Sequence, residues 1–405
     1  MTVLRRSAAV LAATAVIGAA TPAMTATAAD GPSPSASTVL PSGLFGSTDP
    51  KYDGVWRQSL ALLAQHTVGL TPATKAVDWL AGQQCADGSY AAFRAEPTVA
   101  CGAKVTVDTN STAAAVQALT AVGGHDDAVG KAVTWLKAQR NKDGGWGYSP
   151  GSPSDTNSTG VVIGALTAAG ESTDEAAAGL LAKWSLHCDA AGGGGIAYQP
   201  DKNGKLAANA DATAAGVLGA LGKGFAATAG KAPEEGYACE NSDKALTPAD
   251  ASRNGAAYLG EAMYDHGNHL VSALAGAKPQ PDYGNTADAV VAMAAQGWTK
   301  PARKPYAWLE AHAVPWAKQS GPAAYAELIF AAHAMGADPR DFGGTNLVTA
   351  LNATGPAPEA AAGHTEEKKE KKSSGTSVWW IVGTGLVAGI GIGFLFSGRR
   401  KQRQP

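Results

Sequence analysis

Four short polar phrases in this sequence combine carboxylate, amide and hydroxyl side chains, which are the groups that bind polar ligands or transfer protons. They are Asp108-Thr-Asn110-Ser-Thr, Asp155-Thr-Asn157-Ser-Thr, Asn209-Ala-Asp211-Ala-Thr and Asn285-Thr-Ala-Asp288. Each precedes an apolar segment that ends at glycine. Its polar residues therefore also suit a helix N-cap, where a side-chain oxygen accepts a hydrogen bond from a free backbone amide. The phrases thus support two interpretations, ligand contact and helix capping.

Five aromatic residues lie in or beside the glycine-containing segments near these phrases. They are Tyr90, Trp146, Tyr148, Tyr198 and Tyr283. Aromatic rings beside amides and carboxylates are a usual mixture in sites for planar or sugar-like ligands. We therefore take both sets as candidate ligand-binding residues, with capping and core packing as their alternative roles. No catalytic residue can be assigned from the sequence.

Four cysteines predict two disulfide bonds rather than a metal site. They are Cys85, Cys101, Cys188 and Cys239, and an even number suits an exported chain. Of the three connectivities, the one that joins the first two and the last two is favoured, because each pair then closes a loop within one region. No pair has the short spacing and histidine neighbours of a zinc site, so no metal is expected.

The phrases recur because the chain repeats a helical unit. Lys75-Ala-Val-Asp-Trp79-Leu leads to Asp87-Gly-Ser-Tyr90, and Lys131-Ala-Val-Thr-Trp135-Leu leads to Asp143-Gly-Gly-Trp146. Three looser copies follow, around Trp184, Tyr258 and Trp308. A repeat of this length indicates stacked supersecondary units, each too small to bury its own apolar face.

Apolar periodicity, caps and glycine stops predict twelve helices. They are Val55–Gln65, Pro72–Gln84, Thr109–Val122, Asp126–Gln139, Thr156–Ala169, Thr173–Leu186, Ala210–Leu221, Pro248–Tyr264, Thr286–Gln296, Pro301–Val314, Pro322–Met335 and Pro339–Leu351. Helices that follow the polar phrases are almost entirely Ala, Val, Leu and Gly and are expected inside. Those with Lys and Asp on one face are expected outside. Six of each would close into an all-α (α/α)6 toroid.

The pattern Lys-Ala-x-x-Trp-Leu-x-x-Gln, followed by Asp-Gly-Gly-Trp-Gly, resembles the "QW" repeat of the prenyltransferase and squalene-hopene cyclase superfamily. The resemblance spans the chain from Val55 to Leu351 and implies an (α/α)6 toroid. The family's catalytic groups are not matched. Class II cyclases carry an acidic Asp-x-Asp-Asp motif, whereas Asn110 and Asn157 stand in the nearest phrases here, and an amide cannot supply a proton. The zinc ligands of protein prenyltransferases are also not found.

A more distant resemblance is to secreted cobalamin carriers, whose inner helices follow a phrase similar to Val107-Asp108-Thr109. It implies that a ligand sits at the mouth of the ring and adds cobalamin to the candidate ligands. No other cofactor is expected.

The two ends of the chain predict export and anchoring. Residues 1–28 resemble a signal peptide, with two arginines, an apolar run and a small-residue cleavage site. A linker (29–50) and the toroid (51–354) follow, then a charged stalk (355–376) that cannot bury enough apolar surface to fold. An apolar segment long enough to span a bilayer (377–396) precedes a basic tail (397–405). We therefore expect the toroid on the extracellular face of the plasma membrane.

Composition limits the classes of partner. The formal net charge is −2 and no basic stripe precedes the tail, which argues against nucleic acid. The leading hypothesis is a non-catalytic surface module that binds a small hydrophobic or corrinoid-like ligand, or a surface glycan, and passes it to a membrane partner such as a transporter. The alternatives are an enzyme acting on an isoprenoid or polysaccharide, and a structural surface protein.

Overall fold

The computed structural model describes residues 40–172, 175–234, 236–241, 244–272 and 278–360, and these residues form twelve α-helices. In chain order they are α1 (Gly54–Thr67), α2 (Thr74–Gly82), α3 (Thr109–Val122), α4 (Asp126–Ala138), α5 (Thr156–Ala168), α6 (Glu175–Lys183), α7 (Ala210–Ala220), α8 (Pro248–Asp265), α9 (Tyr283–Ala295), α10 (Thr299–Ser320), α11 (Pro322–Ala334) and α12 (Leu347–Asn352). A 3-10 turn, Pro50–Tyr52, precedes α1. The all-α prediction is confirmed.

The odd-numbered helices form a closed ring. Helix α1 packs on α3, α3 on α5, α5 on α7, α7 on α9 and α9 on α11, and α11 returns to α1. The even-numbered helices lie outside, each against one or two neighbours of the inner ring. The inner helices contain few charged residues because protein surrounds most of their surface, whereas α4 keeps exposed Asp and Lys residues on its outer face.

The two ends of the helical region meet and close the ring. Gly46 donates its backbone N–H to the carbonyl of Thr354 over 2.8 Å, and Gln65 Nε2 donates to Asn352 Oδ1 over 2.8 Å. Phe45, one residue before Gly46, is fully buried. An open stack of helices would leave both end faces exposed, whereas here each covers the other.

One junction recurs four times and explains the repeated phrase. A threonine in the first turn of an inner helix accepts a hydrogen bond, 2.8 to 3.0 Å long, from a backbone amide in the preceding turn. The pairs are Thr112 with Tyr90, Thr159 with Trp146, Thr213 with Ile196 and Thr286 with Leu270. Each threonine therefore fixes a turn at the end of the ring where the inner helices begin, which we call the rim.

Glycine has a specific role in two of these turns. Gly88 and Gly144 occupy equivalent places and have φ angles of 96° and 97°, a conformation that residues with a Cβ rarely adopt. A Cβ at Gly88 would lie 2.3 Å from the carbonyl oxygen of Lys131. The Asp-Gly-Gly-Trp and Asp-Gly-Ser-Tyr sequences thus let the turn approach the neighbouring outer helix.

Two short antiparallel hairpins and two disulfides complete the rim. Strand β1 (Tyr90–Ala91) pairs with β2 (Val107–Asp108), and β3 (Leu270–Ser272) pairs with β4 (Gln280–Asp282). Two or three residues are too few for a strand pattern in the sequence. The favoured cysteine pairing is confirmed, because Cys85 bonds to Cys101 and Cys188 bonds to Cys239.

Three helix predictions need correction. The last outer helix begins at Leu347 rather than Pro339, since Gly343 and Gly344 take positive φ angles and Asn346 caps the helix through Thr349 N. Helix α10 continues to Ser320 through two prolines, although the sequence predicts an end at Val314. Helix α9 begins at Tyr283 rather than Thr286, so its N-cap is Asp282 and not Asn285.

Several predicted segments lie outside the described residues. They are the signal peptide (1–28), half of the linker (29–50), most of the stalk (355–376), the apolar segment (377–396) and the basic tail (397–405). Within the described ranges, no helix has the length and hydrophobicity that crossing a bilayer requires.

Candidate functional site at the centre of the ring

A cavity of about 210 Å³ lies inside the ring and is lined mainly by polar side chains at one end. Asn110, Asn157 and Asp211 are the second residues of α3, α5 and α7, and all three line it. They meet there because the inner helices start at the same rim. Asp288, from the second turn of α9, joins them.

The other end of the cavity is lined by the segment after α7, residues Lys223 to Phe225. The backbone amide of Phe225 donates to Gln117 Oε1 on α3 over 3.0 Å. The Phe225 ring meets the Trp56 ring of α1 edge to face, with centroids 5.3 Å apart. This segment therefore enters the ring, and its Phe225 and the Trp56 of α1 together give the lining two aromatic rings.

Two polar atoms in the lining have no hydrogen-bond partner among the residues that the structure describes. Gln117 is only 4% exposed, and because its Oε1 accepts from Phe225 N, its Nε2 is left as an unpaired donor. Asn157 Nδ2 donates to Asp211 Oδ2 over 2.6 Å, which leaves Asn157 Oδ1 as an unpaired acceptor. A buried polar group without a partner costs about 1 to 3 kcal/mol. Both atoms are therefore poised to bond to a molecule in the cavity.

Four carboxyl groups gather beside these amides: Asp211 of α7, Asp282 and Asp288 at the start of α9, and Glu327 of α11. Burial, with the charges of Asp211 and Asp282, raises the pKa of Asp288 to about 7. Burial and the charges of Asp288 and Asp282 raise the pKa of Glu327 well above its ordinary value. Burial also raises the pKa of Asp211, although the Asn157 hydrogen bond partly opposes this effect. No positive charge among the described residues lowers any of these three pKa values.

A stack of aromatic rings borders this carboxyl cluster. Tyr283, the first residue of α9, stacks against Trp308 and Trp316 of α10, with centroid distances of 5.2 and 5.6 Å. His269 stacks on Trp308 at 4.2 Å. Glu327 Oε2 lies within 3.2 Å of where a Cβ on Gly284 would stand, beside the Trp316 ring. Carboxylates and π-faces thus lie together on this side of the ring.

Three predicted site residues act as helix caps. Asp108 Oδ1 and Oδ2 accept from Ser111 N and Oγ over 2.6 and 2.9 Å. Asp155 makes the same pair of bonds to Ser158, and Asn209 Oδ1 accepts from Ala212 N. Burial raises the pKa of Asp108 to about 6. These side chains turn toward their own helices, which is the capping role.

Asn285, the fourth predicted residue near a cap, instead donates its Nδ2 to Asp282 Oδ2 over 2.8 Å. It therefore contacts the carboxyl cluster rather than capping the helix. Asp211 and Asp288, by contrast, line the cavity itself.

The predicted aromatic residues divide into core and surface. Tyr90 and Trp146 are fully buried, and Trp146 Nε1 donates to the carbonyl of Leu136, so their side chains pack in the core although their backbone belongs to the rim turns. Tyr148 and Tyr198 are 49% and 42% exposed. Their carbonyls accept from Thr109 N and Thr156 N, which joins successive units. Of the five, only Tyr283 belongs to the stack beside the carboxyl cluster.

The sequence analysis missed Gln117, Asp282, Glu327, Trp56 and Phe225. Glu327 carries the clearest signal, because it is the single charged residue other than His333 in the apolar segment of α11. Gln117 likewise lies among Ala, Val and Leu residues in the second half of α3. A lone polar residue in an otherwise apolar inner helix points toward the interior of the ring, which the sequence shows only once the ring is assumed.

Among the described residues, no group of three His, Cys, Asp or Glu side chains is arranged to hold a metal ion. The carboxyl groups therefore do not form a recognisable metal centre.

Comparison with known proteins finds a similarity over part of the ring. Residues 106–218 match the model of the squalene-hopene cyclase C-terminal domain, and they contain α3 to α6 and most of α7. No curated protein matches the sequence significantly. A solved structure described as a protein from Actinoplanes is 16% identical over 68% of this chain and 99% of its own length, with a TM-score of 0.32, a likeness too low to bear on fold or function. This part of the chain, which contains the Trp146 turn, is therefore similar to the squalene-hopene cyclase C-terminal domain.

Proposed function

We propose that the ring is a ligand-binding domain that holds a small polar molecule in its central cavity. The observation that carries this proposal is the pair of unpaired amide atoms, Gln117 Nε2 and Asn157 Oδ1, in the lining of an internal cavity. A protein leaves such groups unpaired at a cost in stability, and a bound molecule with a matching acceptor and donor removes that cost.

The size and lining of the cavity favour a different ligand from those expected from the sequence. About 210 Å³ is below the range of roughly 300 to 1,000 Å³ that drug-sized ligands occupy, and a corrinoid is larger still. A polyprenyl chain would leave the amides and carboxyl groups without partners. The proposal therefore replaces the hydrophobic, corrinoid-like or glycan ligand at the rim with a smaller, polar one inside the ring.

Filling the cavity tests this proposal. Val161 of α5 lines the cavity and is partly buried, so Val161→Phe should occupy the space where the ligand binds. We expect some compounds from a library of small polar metabolites to raise the melting temperature of the full-length protein saturably, since a ligand of the native state stabilises it. The variant should lose this response.

Val129→Phe is the matched control, because Val129 is a partly buried valine on the outer helix α4. It should respond to the same compounds as the unmodified protein. Equal stabilisation of the Val161→Phe variant, or no stabilisation by any compound, would contradict the proposal.

One observation favours a second candidate function, an acid-catalysed reaction on the bound molecule. The pKa of Asp288 is raised to about 7, so much of this carboxyl group stays protonated near neutral pH, as a general acid requires. If the protein is an enzyme, mass spectrometry should detect a new product from a compound that binds. Asp288→Asn should abolish the product even at concentrations of the compound that saturate binding to the variant.

We also propose that the ring is displayed outside the cell and tethered by residues 377–396. The two disulfides support an oxidising compartment. Protease added to intact cells should remove the ring domain, whereas protection until lysis would contradict this placement. A membrane transporter as partner stays a prediction.

A further inference from the structure

We propose that the ligand of the central cavity is a small organic cation that also carries a hydrogen-bond acceptor. Its positive nitrogen would lie among Asp211, Asp282, Asp288 and Glu327, and its acceptor would meet Gln117 Nε2. This inference rests on the proposed function and names the chemical class of the ligand.

The first support is uncompensated negative charge. The four carboxyl groups come from α7, α9 with its N-cap, and α11. Asp211 and Asp282 raise the pKa of Asp288, and Asp288 and Asp282 raise the pKa of Glu327. Lys223 lines the same cavity but is not among the charges that act on these pKa values. A bound cation would remove this repulsion, because an opposite charge within a few ångströms favours the ionised carboxylate.

The positive ends of the inner helices do not provide the missing charge. Helix dipoles act on groups within the first turn and weaken beyond it. Asp211 is the second residue of α7, but Asp288 and Glu327 are each the sixth residue of their helices. Two of the carboxyl groups therefore lie beyond the reach of this effect.

The second, independent support is Gln117. Gln117 is only 4% exposed. Because its amide accepts a hydrogen bond from Phe225 N, the accepting atom is the oxygen Oε1 and the other atom is the nitrogen Nε2. The unpaired Nε2 consequently needs an acceptor. A cation alone cannot supply one, so the ligand must have a hydroxyl, carbonyl or carboxylate group as well.

Aromatic rings at both ends of the site suit an organic cation better than a metal ion. Trp56 lines the cavity, and Trp316 lies beside Glu327. A cation over an aromatic face gains about 0.5 to 2 kcal/mol, and more when it is desolvated. No three metal-binding side chains converge within the described ranges, which also disfavours an inorganic ion.

The experiment compares cations with neutral molecules of the same shape. Full-length protein is titrated at pH 8 with arginine, ethanolamine and choline, and in parallel with citrulline, ethylene glycol and 3,3-dimethylbutan-1-ol. Calcium chloride is a separate arm. We expect at least one cation to raise the melting temperature saturably and its neutral counterpart to have no effect.

Charge-removing variants locate the binding site. Glu327→Gln and Asp288→Asn keep the side-chain shape and should weaken cation binding at least tenfold. Asp265→Asn removes an exposed carboxylate of α8 and should leave binding unchanged. Loss of binding in all three variants would indicate diffuse attraction to the surface and would overturn the inference.

Three further outcomes would also overturn it: no cation binds, a neutral counterpart binds equally well, or calcium alone binds. These outcomes differ from failure of the proposed function. If a neutral or anionic compound from the metabolite library still stabilises the protein and Val161→Phe abolishes the effect, the ring is a ligand-binding domain and only the cationic ligand is wrong.

Discussion

At the scale of single residues, the arrangement of polar groups in the cavity lowers the folding stability of the protein without ligand. Within the described part of the chain, no positive charge lowers the pKa of Asp288, and the Nε2 donor of Gln117 has no hydrogen-bond partner. Functional sites commonly combine such features, because groups prepared for a ligand are poorly satisfied without one. Substitutions that remove charge here should therefore stabilise the protein without ligand.

Asp288→Asn tests this expectation through pH. The pKa of Asp288 is raised from 3.8 to about 7 in the folded protein, so the folded state holds this proton more tightly than the unfolded state. Its contribution to stability is full below pH 4 and is lost as the pH rises through 7. Asp211, Asp282 and Glu327 face the same carboxyl group. Asp288→Asn removes the ionisable carboxyl group and should therefore remove this loss of stability at high pH.

We expect Asp288→Asn to be more stable than the unmodified protein at pH 8. The gain in the free energy of unfolding should be only roughly 2 kcal/mol, less than the full pKa shift corresponds to, because contact with the cavity screens the charge. The difference should be less than half as large at pH 5 and should approach zero only below about pH 4. Urea unfolding at the two pH values measures it. A variant that is less stable at pH 8 would mean that Asp288 makes a favourable interaction as a carboxylate.

At the scale of helices and turns, capping explains which predictions succeed. Helix α3 begins and ends where the sequence predicts, since Asp108 caps it and Gly123 follows it. The prediction fails at α12, where Pro339 suggests a helix start but two glycines and Asn346 delay it. The sequence analysis also missed part of the site, because Asp282 and Glu327 are far apart in sequence and meet only in the closed ring.

Asp155→Ala should destabilise the protein by about 1 to 2 kcal/mol, the usual cost of losing an N-cap. Asp155 is 2% exposed and accepts two hydrogen bonds from Ser158. The control is Asp126→Ala, which changes an exposed residue in the first turn of α4, a helix whose N-cap makes no side-chain hydrogen bond. Chemical denaturation should show a much smaller loss for the control, and equal losses would exclude a special role for the cap.

At the scale of the whole molecule, contact between the two ends of the ring should carry much of its cooperativity. Gly355 lies against the Phe45 ring, and a Cβ at Gly355 would stand 2.3 Å from it. We expect Gly355→Val to cost about 1 to 3 kcal/mol through overpacking and to increase proteolysis of the segment before α1. Gly102→Val introduces the same side chain where no atom lies within 4 Å and should change neither quantity.

The hydrogen bond from Gly46 to Thr354 has a further consequence for the connectivity of the chain. Because first and last units are neighbours in space, the order in which the six units are covalently joined is not fixed by packing. A circular permutant that joins these ends through a short linker and opens the chain at the exposed turn around Gly204 should fold to the same ring.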